Sequence, residues 1–326
     1  MKDETVNCLE KLDFYFTIIT MKRRKLKPWV RRAINRTREI IVKTSAVLIL
    51  TGLVCYYRVP GFLGTDSQAA DQLNQSEISA HAWNNYEQSQ PHLPLYAHRG
   101  LSSNYTENTP EAFAQAFLNG CPQVELDVWL SADGVLVVSH DQNVVRVYGQ
   151  DKNIGASSSA DLNSYRAANG QPLISLQKIF DIFGNSLTYL VEFKGGTEVA
   201  EAFEKLMENN PDLIPNVQIQ DFELDTLLAV DAKYPNMYKM LLMADTANLD
   251  KALQTEALNG VCIDYEKVTP EVIAKVHEAG KKILCYTVND EKASERLWNL
   301  GVDAVISDCP APVLAKYNSY VAGAAK

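Results

Sequence analysis

Cysteine is scarce, and its pattern is not that of a scaffold. Six are present among 326 residues (Cys8, Cys55, Cys121, Cys262, Cys285 and Cys309), with no CxxC pair. A chain this long does not need a disulfide framework, so isolated thiols buried in apolar strands are expected. Internal repeats and low-complexity tracts are missing. Hydrophobic residues make up 46% and charged residues 22%, which excludes a mostly disordered chain, a collagen-like fibre and a multi-span membrane protein. By length alone the chain is about two domains, although single α/β barrels also run past about 200 residues. Positive charge is short over most of it. Residues 61–326 hold 18 Lys and Arg against 35 Asp and Glu, whereas residues 1–60 hold 13 against 5. An acidic body on a basic stem argues against nucleic-acid binding and fits a stem set against an anionic membrane.

The stem carries ten basic residues between Lys22 and Lys43 against one acid, Glu39, followed by a charge-free run from Thr44 to Tyr57. Fourteen residues make a helix about 21 Å long, short of the roughly 30 Å hydrocarbon core. Extended to 40–59, the span reaches about 30 Å, with Lys43 and Arg58 placed to snorkel. The organisation read from this is a basic segment at 1–39, a transmembrane anchor at 40–59, a polar linker at 60–93 and a body from 94 to 320. The basic flank stays inside and the body crosses, giving a single-pass cell-membrane protein with an extracytoplasmic domain. A cleaved signal is the alternative, with Ser67-Gln68-Ala69 as its small-x-small site; a buried amphipathic helix is a third reading. Val54 before Cys55 argues against a lipoprotein signal. Met21 offers a second start, so residues 1–20 are expected to be dispensable.

From Pro94 onward short apolar runs alternate with amphipathic ones. Strands are expected at 94–98, 122–129, 134–139, 187–194, 215–221, 238–243, 260–264, 282–288 and 302–307. Helices are expected at 110–119, 175–183, 197–209, 223–233, 247–257, 270–279, 291–300 and 311–318. Thr109-Pro110-Glu111 and Thr269-Pro270-Glu271 read as capped helix starts, and Gly120 and Gly280 follow helix ends. Phe113 and Phe117 suggest a core-facing stripe. If 134–139 pairs with 122–129 as a hairpin, eight strands remain, the count of a (β/α)8 TIM barrel. A doubly wound open sheet is the alternative, but the first strand-to-helix turn lacks a G-x-G-x-x-G fingerprint.

Polar residues inside apolar strands point to the chemistry. Alternation puts Glu125, Asp127 and Trp129 on one face of their strand, opposite Val124, Leu126 and Val128. Glu192 and Lys194 share a face in the same way. Three carboxylates meeting at the C-terminal rim of a barrel repel one another unless a positive charge sits among them. An all-oxygen set suits a hard divalent cation, Mg²⁺ or Ca²⁺, with Mn²⁺ also admissible. The alternative is an ion-pair network with Arg99 and Lys194. Histidine is sparse, at five residues. His81, His92 and His277 read as surface or packing residues. His98 and His140 stand where strands end, and beside a bound cation they form a base–acid pair. Arg99 and Lys194 add positive charge suited to a phosphate.

These residues sit in a longer series: His98-Arg99-Gly100, Glu107-Asn108-Thr109, Glu125-Leu126-Asp127, Asp133-Gly134, His140-Asp141 and Glu192-Phe193-Lys194. It continues through 172–176, Thr287-Val288-Asn289, Gly301-Val302-Asp303 and Ser307-Asp308-Cys309-Pro310. In order and over about 94–318, the series resembles the glycerophosphodiester phosphodiesterase family. The resemblance implies a barrel enzyme that hydrolyses glycerophosphodiesters to glycerol 3-phosphate and an alcohol with one divalent cation. Glu125, Asp127 and Glu192 would be the ligands, His98 and His140 the general acid–base pair, and Arg99 and Lys194 the phosphate holders. Residues 141–170 would be the family's small insertion, capping one side of the pocket. Tyr286 and Asp221 depart from the family's common Trp and Ser, near the pocket wall, and bear on alcohol preference. The rival functions are a phospholipase-type phosphodiesterase acting on lipid headgroups and an inactive membrane-tethered binding module.

Overall fold

The computed structural model describes residues 94–324. The segments expected at 1–39, 40–59 and 60–93 lie outside these residues. Among the described residues no helix is long and apolar enough to cross a membrane.

Eight parallel strands close into a barrel. They are β1 (Leu95–His98), β2 (Gln123–Leu130), β4 (Thr188–Lys194), β5 (Val217–Asp221), β6 (Tyr238–Met243), β7 (Gly260–Asp264), β8 (Lys282–Tyr286) and β9 (Ala304–Ser307). Closure comes from β1, which pairs with both β2 and β9. The short β3 (Leu136–Val138) runs antiparallel to β2, with Val128 opposite Val138, so the expected hairpin is present and stands outside the ring of eight. The open-sheet alternative is excluded by the β1–β9 pairing.

Alternation along each strand sorts side chains into two cores. Val124, Leu126 and Val128 of β2 point outward and are buried against the helix layer, as are Val191 and Phe193 of β4. The inner face carries Tyr96, Leu190, Met240, Cys262, Leu284 and Ile306, an apolar filling inside the ring. Burying each large apolar side chain contributes roughly 1.5–3 kcal/mol. Among the described cysteines, Cys262 and Cys285 are buried free thiols in strands, as the sequence pattern suggests, and Cys121 is buried just ahead of β2, whereas Cys309 is half-buried in the turn after β9.

The helix layer consists of α1 (Pro110–Leu118), then α2 (Val145–Tyr148) and α3 (Ser159–Leu162) after β3, then α4 (Leu176–Phe183), α5 (Thr197–Glu208), α6 (Leu224–Asp231), α7 (Leu249–Gln254), α8 (Pro270–Glu278), α9 (Glu291–Leu300) and α10 (Pro310–Ala324). Thr109 and Thr269 cap α1 and α8 through their side chains, accepting from the backbone N–H of Ala112 and Val272. One detail of α1 differs from expectation. Phe113 is buried, but Phe117 is 45% exposed. The buried arc is made by Ala112, Phe113 and Ala116. At 100° per residue Phe117 falls about 90° from the centre of that arc, so the stripe is narrower than the two phenylalanines imply. Residues 141–170 wrap a small core of their own, with Val144, Tyr148, Ile154 and Leu162 packed on Val137 and Leu173.

Candidate active site

The register of neighbouring strands builds the site. In the parallel pairing, Asp127 of β2 lies level with Glu192 of β4, and Trp129 with Lys194. His98 at the end of β1 lies level with Glu125. Paired positions in parallel strands face the same way, so all of these side chains point into the mouth. Glu125, Asp127 and Glu192 are buried and offer oxygen atoms that all lie within 4.8 Å of one another.

The cluster is strongly charged for a buried place. Burial and repulsion from Asp127 and Glu192 push the Glu125 carboxyl well above its ordinary range. Burial and the charge of Asp127 push Glu192 up to about 7, against the opposing pull of Lys194. Asp127 goes the other way: burial opposes its ionisation, but Lys194 and Arg99 outweigh it and hold the carboxyl low. The ion-pair alternative is thus present at the same residues. Lys194 Nζ pairs with Glu192 and lies 3.3 Å from Asp127 Oδ1, and Arg99 Nε lies 3.4 Å from Asp127 Oδ2. Asp127 Oδ1 and Glu192 Oε1 nevertheless lack a well-formed hydrogen bond. With all three carboxylates ionised, the two cations leave the cluster one positive charge short, and the raised Glu125 and Glu192 carboxyls reflect that deficit. The all-oxygen donor set, its closeness and its unmet charge together fit a hard divalent cation.

The two strand-end histidines flank this cluster. His98 Nε2 is 3.9 Å from Glu125 Oε2, and its Nδ1 is 2.6 Å from Asp308 Oδ1. His140 Nδ1 is 2.8 Å from Asp141 Oδ1. The backbone carbonyl of His140 accepts from the Trp129 indole at 3.0 Å. Each imidazole thus has an aspartate on Nδ1, which favours the Nδ1–H tautomer and leaves Nε2 as the acceptor nitrogen.

Arg99 takes a left-handed backbone conformation, φ 55°, uncommon for a non-glycine residue and typical of constrained site positions. That turn aims its N–H at Glu125 Oε2 (3.1 Å), while its carbonyl accepts from Asn108 N (3.0 Å). Its guanidinium also donates to Glu107 Oε1 at 3.0 Å.

Several residues that hold this geometry carry no assigned role in the sequence reading. Asn108 donates to Asp127 Oδ2 at 2.8 Å. Gln220 donates to Glu125 Oε1 at 3.2 Å. Asp308, Asp141 and Glu107 orient His98, His140 and Arg99, and Arg146 joins the last two of these carboxylates. Gln218 and Gln220 are polar exceptions in an apolar strand, so the alternation that picks out Glu125 and Asp127 also picks them out. Arg146 shows no such signal, because its partners lie in other segments.

The two departures at the pocket wall separate. Tyr286 packs edge-to-face on Phe222, ring centroids 6.4 Å apart, with its hydroxyl on the Met243 carbonyl. Asp221 follows Gln220 and so falls on the outer face of β5, where it accepts from Glu223 N at 2.9 Å and burial pushes it up to about 6. It organises the turn into α6, and its charge is close enough to act on Glu192 of the cluster.

Residues 98–311 match the Glycerophosphoryl diester phosphodiesterase family. A glycerophosphodiester phosphodiesterase of Bacillus altitudinis is 27% identical over 236 residues, covering 66% of this chain and 94% of that one. Among solved structures, the glycerophosphodiester phosphodiesterase of Thermotoga maritima superposes with a TM-score of 0.60 at 26% identity, over 69% of this chain and 99% of that one. A phosphodiesterase of Oleispira antarctica, solved in complex with the product sn-glycerol-3-phosphate, gives a TM-score of 0.65 at 24% identity, over 69% and 96%. With a barrel, a carboxylate cluster at its mouth and a family match across two thirds of its length, the chain belongs to the glycerophosphoryl diester phosphodiesterase family and is a phosphoric diester hydrolase.

Proposed function

We propose that this enzyme cleaves glycerophosphodiesters to glycerol 3-phosphate and an alcohol, using His98 and His140 as a proton-transfer pair around a divalent cation. The observation that carries the reading is the level placement of Asp127 and Glu192, with Glu125 beside them and an aspartate-backed imidazole nearby at each of two strand ends. Glu125, Asp127 and Glu192 would hold the ion, with Ca²⁺ and Mg²⁺ the first choices and Mn²⁺ a third. When bound, such an ion supplies Lewis-acid stabilisation of charge on the phosphoryl group.

The chain's own groups do the rest. Arg99 and Lys194 attract and orient the phosphate, a local positive pair in an otherwise acidic body. One imidazole takes the proton from the attacking hydroxyl, either a water or the substrate's own 2-hydroxyl. The other, protonated, gives a proton to the leaving alkoxide as the phosphorus–oxygen bond breaks. Asp308 and Asp141 hold the two rings so that Nε2 faces the substrate. The relatives named glycerophosphodiester phosphodiesterases support the substrate class, and the product held by the Oleispira enzyme has the expected chemistry.

The test is a metal-titrated activity panel over several glycerophosphodiesters, their acylated counterparts and glycerophosphate polymers. H98A and H140A should each lose at least about 10²-fold in kcat, and chelation should abolish turnover. Near-normal turnover in either variant removes that histidine from the chemistry, and chelator-insensitive turnover removes the cation. Phosphorus NMR separates the two nucleophiles, because attack by the 2-hydroxyl passes through a cyclic phosphate. We further propose that residues 1–59 tether the enzyme to a membrane. Loss of membrane sedimentation when the chain begins at residue 61 is the expected outcome, and unchanged sedimentation contradicts the tether.

A further inference from the structure

We propose that Arg146 is a positioning residue of the active site. It fastens the 141–170 segment to the loop after β1 and holds in place the two carboxylates that orient His140 and Arg99. The inference rests on the reading of His140 as a proton-transfer group.

The geometry is specific. Arg146 Nε donates to Asp141 Oδ2 at 2.5 Å, while Nη1 and Nη2 donate to Glu107 Oε2 and Oε1 at 2.8 and 2.7 Å. Asp141 uses its other oxygen, Oδ1, for His140 Nδ1 at 2.8 Å. Glu107 Oε1 also accepts from Arg99 Nη1 at 3.0 Å. One guanidinium therefore spans two carboxylates, each of which holds a side chain of the mouth. Burial opposes ionisation of Glu107, yet the hydrogen bonds and charges of Arg146 and Arg99 keep its carboxyl below the ordinary range. Asp141 is likewise kept low, its burial outweighed by Arg146 and His140.

The base of the side chain is as well defined as its tip. Arg146 sits in the single turn of α2, between the buried Val144 and Tyr148, which pack in the small core of the 141–170 segment. That packing sets where the guanidinium starts, and the planar fork sets where its donors point. A lysine cannot reproduce this, because an ammonium is one point charge and cannot reach both oxygens of Glu107 together with Asp141. The Arg146 side chain is 49% exposed, so its ion pairs contribute little to global stability. Its effect is on where the imidazole and the guanidinium of the mouth stand, and a displacement of about 1 Å at a reacting group costs on the order of 10²-fold in rate.

Steady-state kinetics on a soluble glycerophosphodiester such as glycerophosphocholine, with the full chain and saturating divalent cation, test this. R146M should lower kcat about 10- to 100-fold, with a smaller rise in KM through the Glu107–Arg99 arm, while the melting temperature moves little. R146K should keep most of the kcat loss, since charge without the fork leaves Asp141 free to turn; full recovery in R146K would mean that charge alone matters and would overturn the proposal. D141N should resemble R146M in kcat. In an H140A background R146M should add less than about threefold, because the two act through one imidazole; a fully additive loss overturns the proposal. If H140A itself turns over normally, the proton-transfer reading and this inference fall together. If H140A is inactive and R146M is normal, only this inference falls.

Discussion

Asp308 shows how a single side chain ties distant parts of the site together. It accepts from His98 at 2.6 Å, from Ser102 at 2.9 Å and from Asn289 at 2.7 Å. Burial opposes its ionisation, but His98, Asn289 and Ser102 together bring its carboxyl down to about 2. An unperturbed aspartate titrates near 3.9. Between those two values the unfolded chain binds more protons than the folded one, so stability rises with pH there. The contribution of Asp308 is complete above about pH 4 and is lost as pH falls toward about 2. D308N should flatten this part of the stability curve measured by urea unfolding, and should lower kcat by freeing the His98 ring. An unchanged acid slope would assign it to another carboxylate. At this scale the ionisable residues were legible as exceptions in apolar strands, and their hydrogen-bond partners were not. His98 and Asp308 are 210 positions apart, and no local pattern links them.

The elements position the site through tight turns and level strands. Gly100 follows Arg99 with φ +85°, and a Cβ there would lie 2.6 Å from the backbone carbonyl carbon of Ala112 in α1. The loop after β1 therefore closes directly onto the helix that follows. G100A should cost about 2–5 kcal/mol, the sum of a left-handed penalty and an overpacking penalty. Chemical denaturation measures it, and a cost under about 1 kcal/mol would show that the loop can relax away from α1. Strand and helix positions were readable because alternation and capping act within a few residues. The α1 stripe stops short of Phe117, because the arc a helix buries depends on how it lies on the barrel, which the spacing of two phenylalanines does not encode. Asp221 ends β5 close enough to the mouth for its charge to act on Glu192, while its carboxylate accepts from Glu223 N in the turn that follows.

For the whole molecule, closing the barrel gathers three carboxylates that, when all are ionised, outnumber their two cationic partners by one. A divalent cation held by Glu125, Asp127 and Glu192 would bind the folded chain alone, and so would stabilise it by about 2.7 kcal/mol at 100 times its Kd. Calorimetry should show the melting temperature rising with added Ca²⁺ or Mg²⁺ and falling after chelation, and E125Q or E192Q should remove that dependence. A melting temperature indifferent to Ca²⁺, Mg²⁺ and Mn²⁺ alike would contradict the cation site without touching the histidine assignment. What the amino-acid order determined by itself was the succession of strands and helices, the capped helix starts and the inward ionisable residues of β2 and β4, since these follow from chain geometry over a turn or a pleat. Tertiary structure alone decided that Asp127 stands level with Glu192, that Gln220 reaches Glu125 from 95 residues away and that Arg146 joins Glu107 to Asp141. Those meetings depend on register and ring closure, which are settled by packing the entire barrel at once.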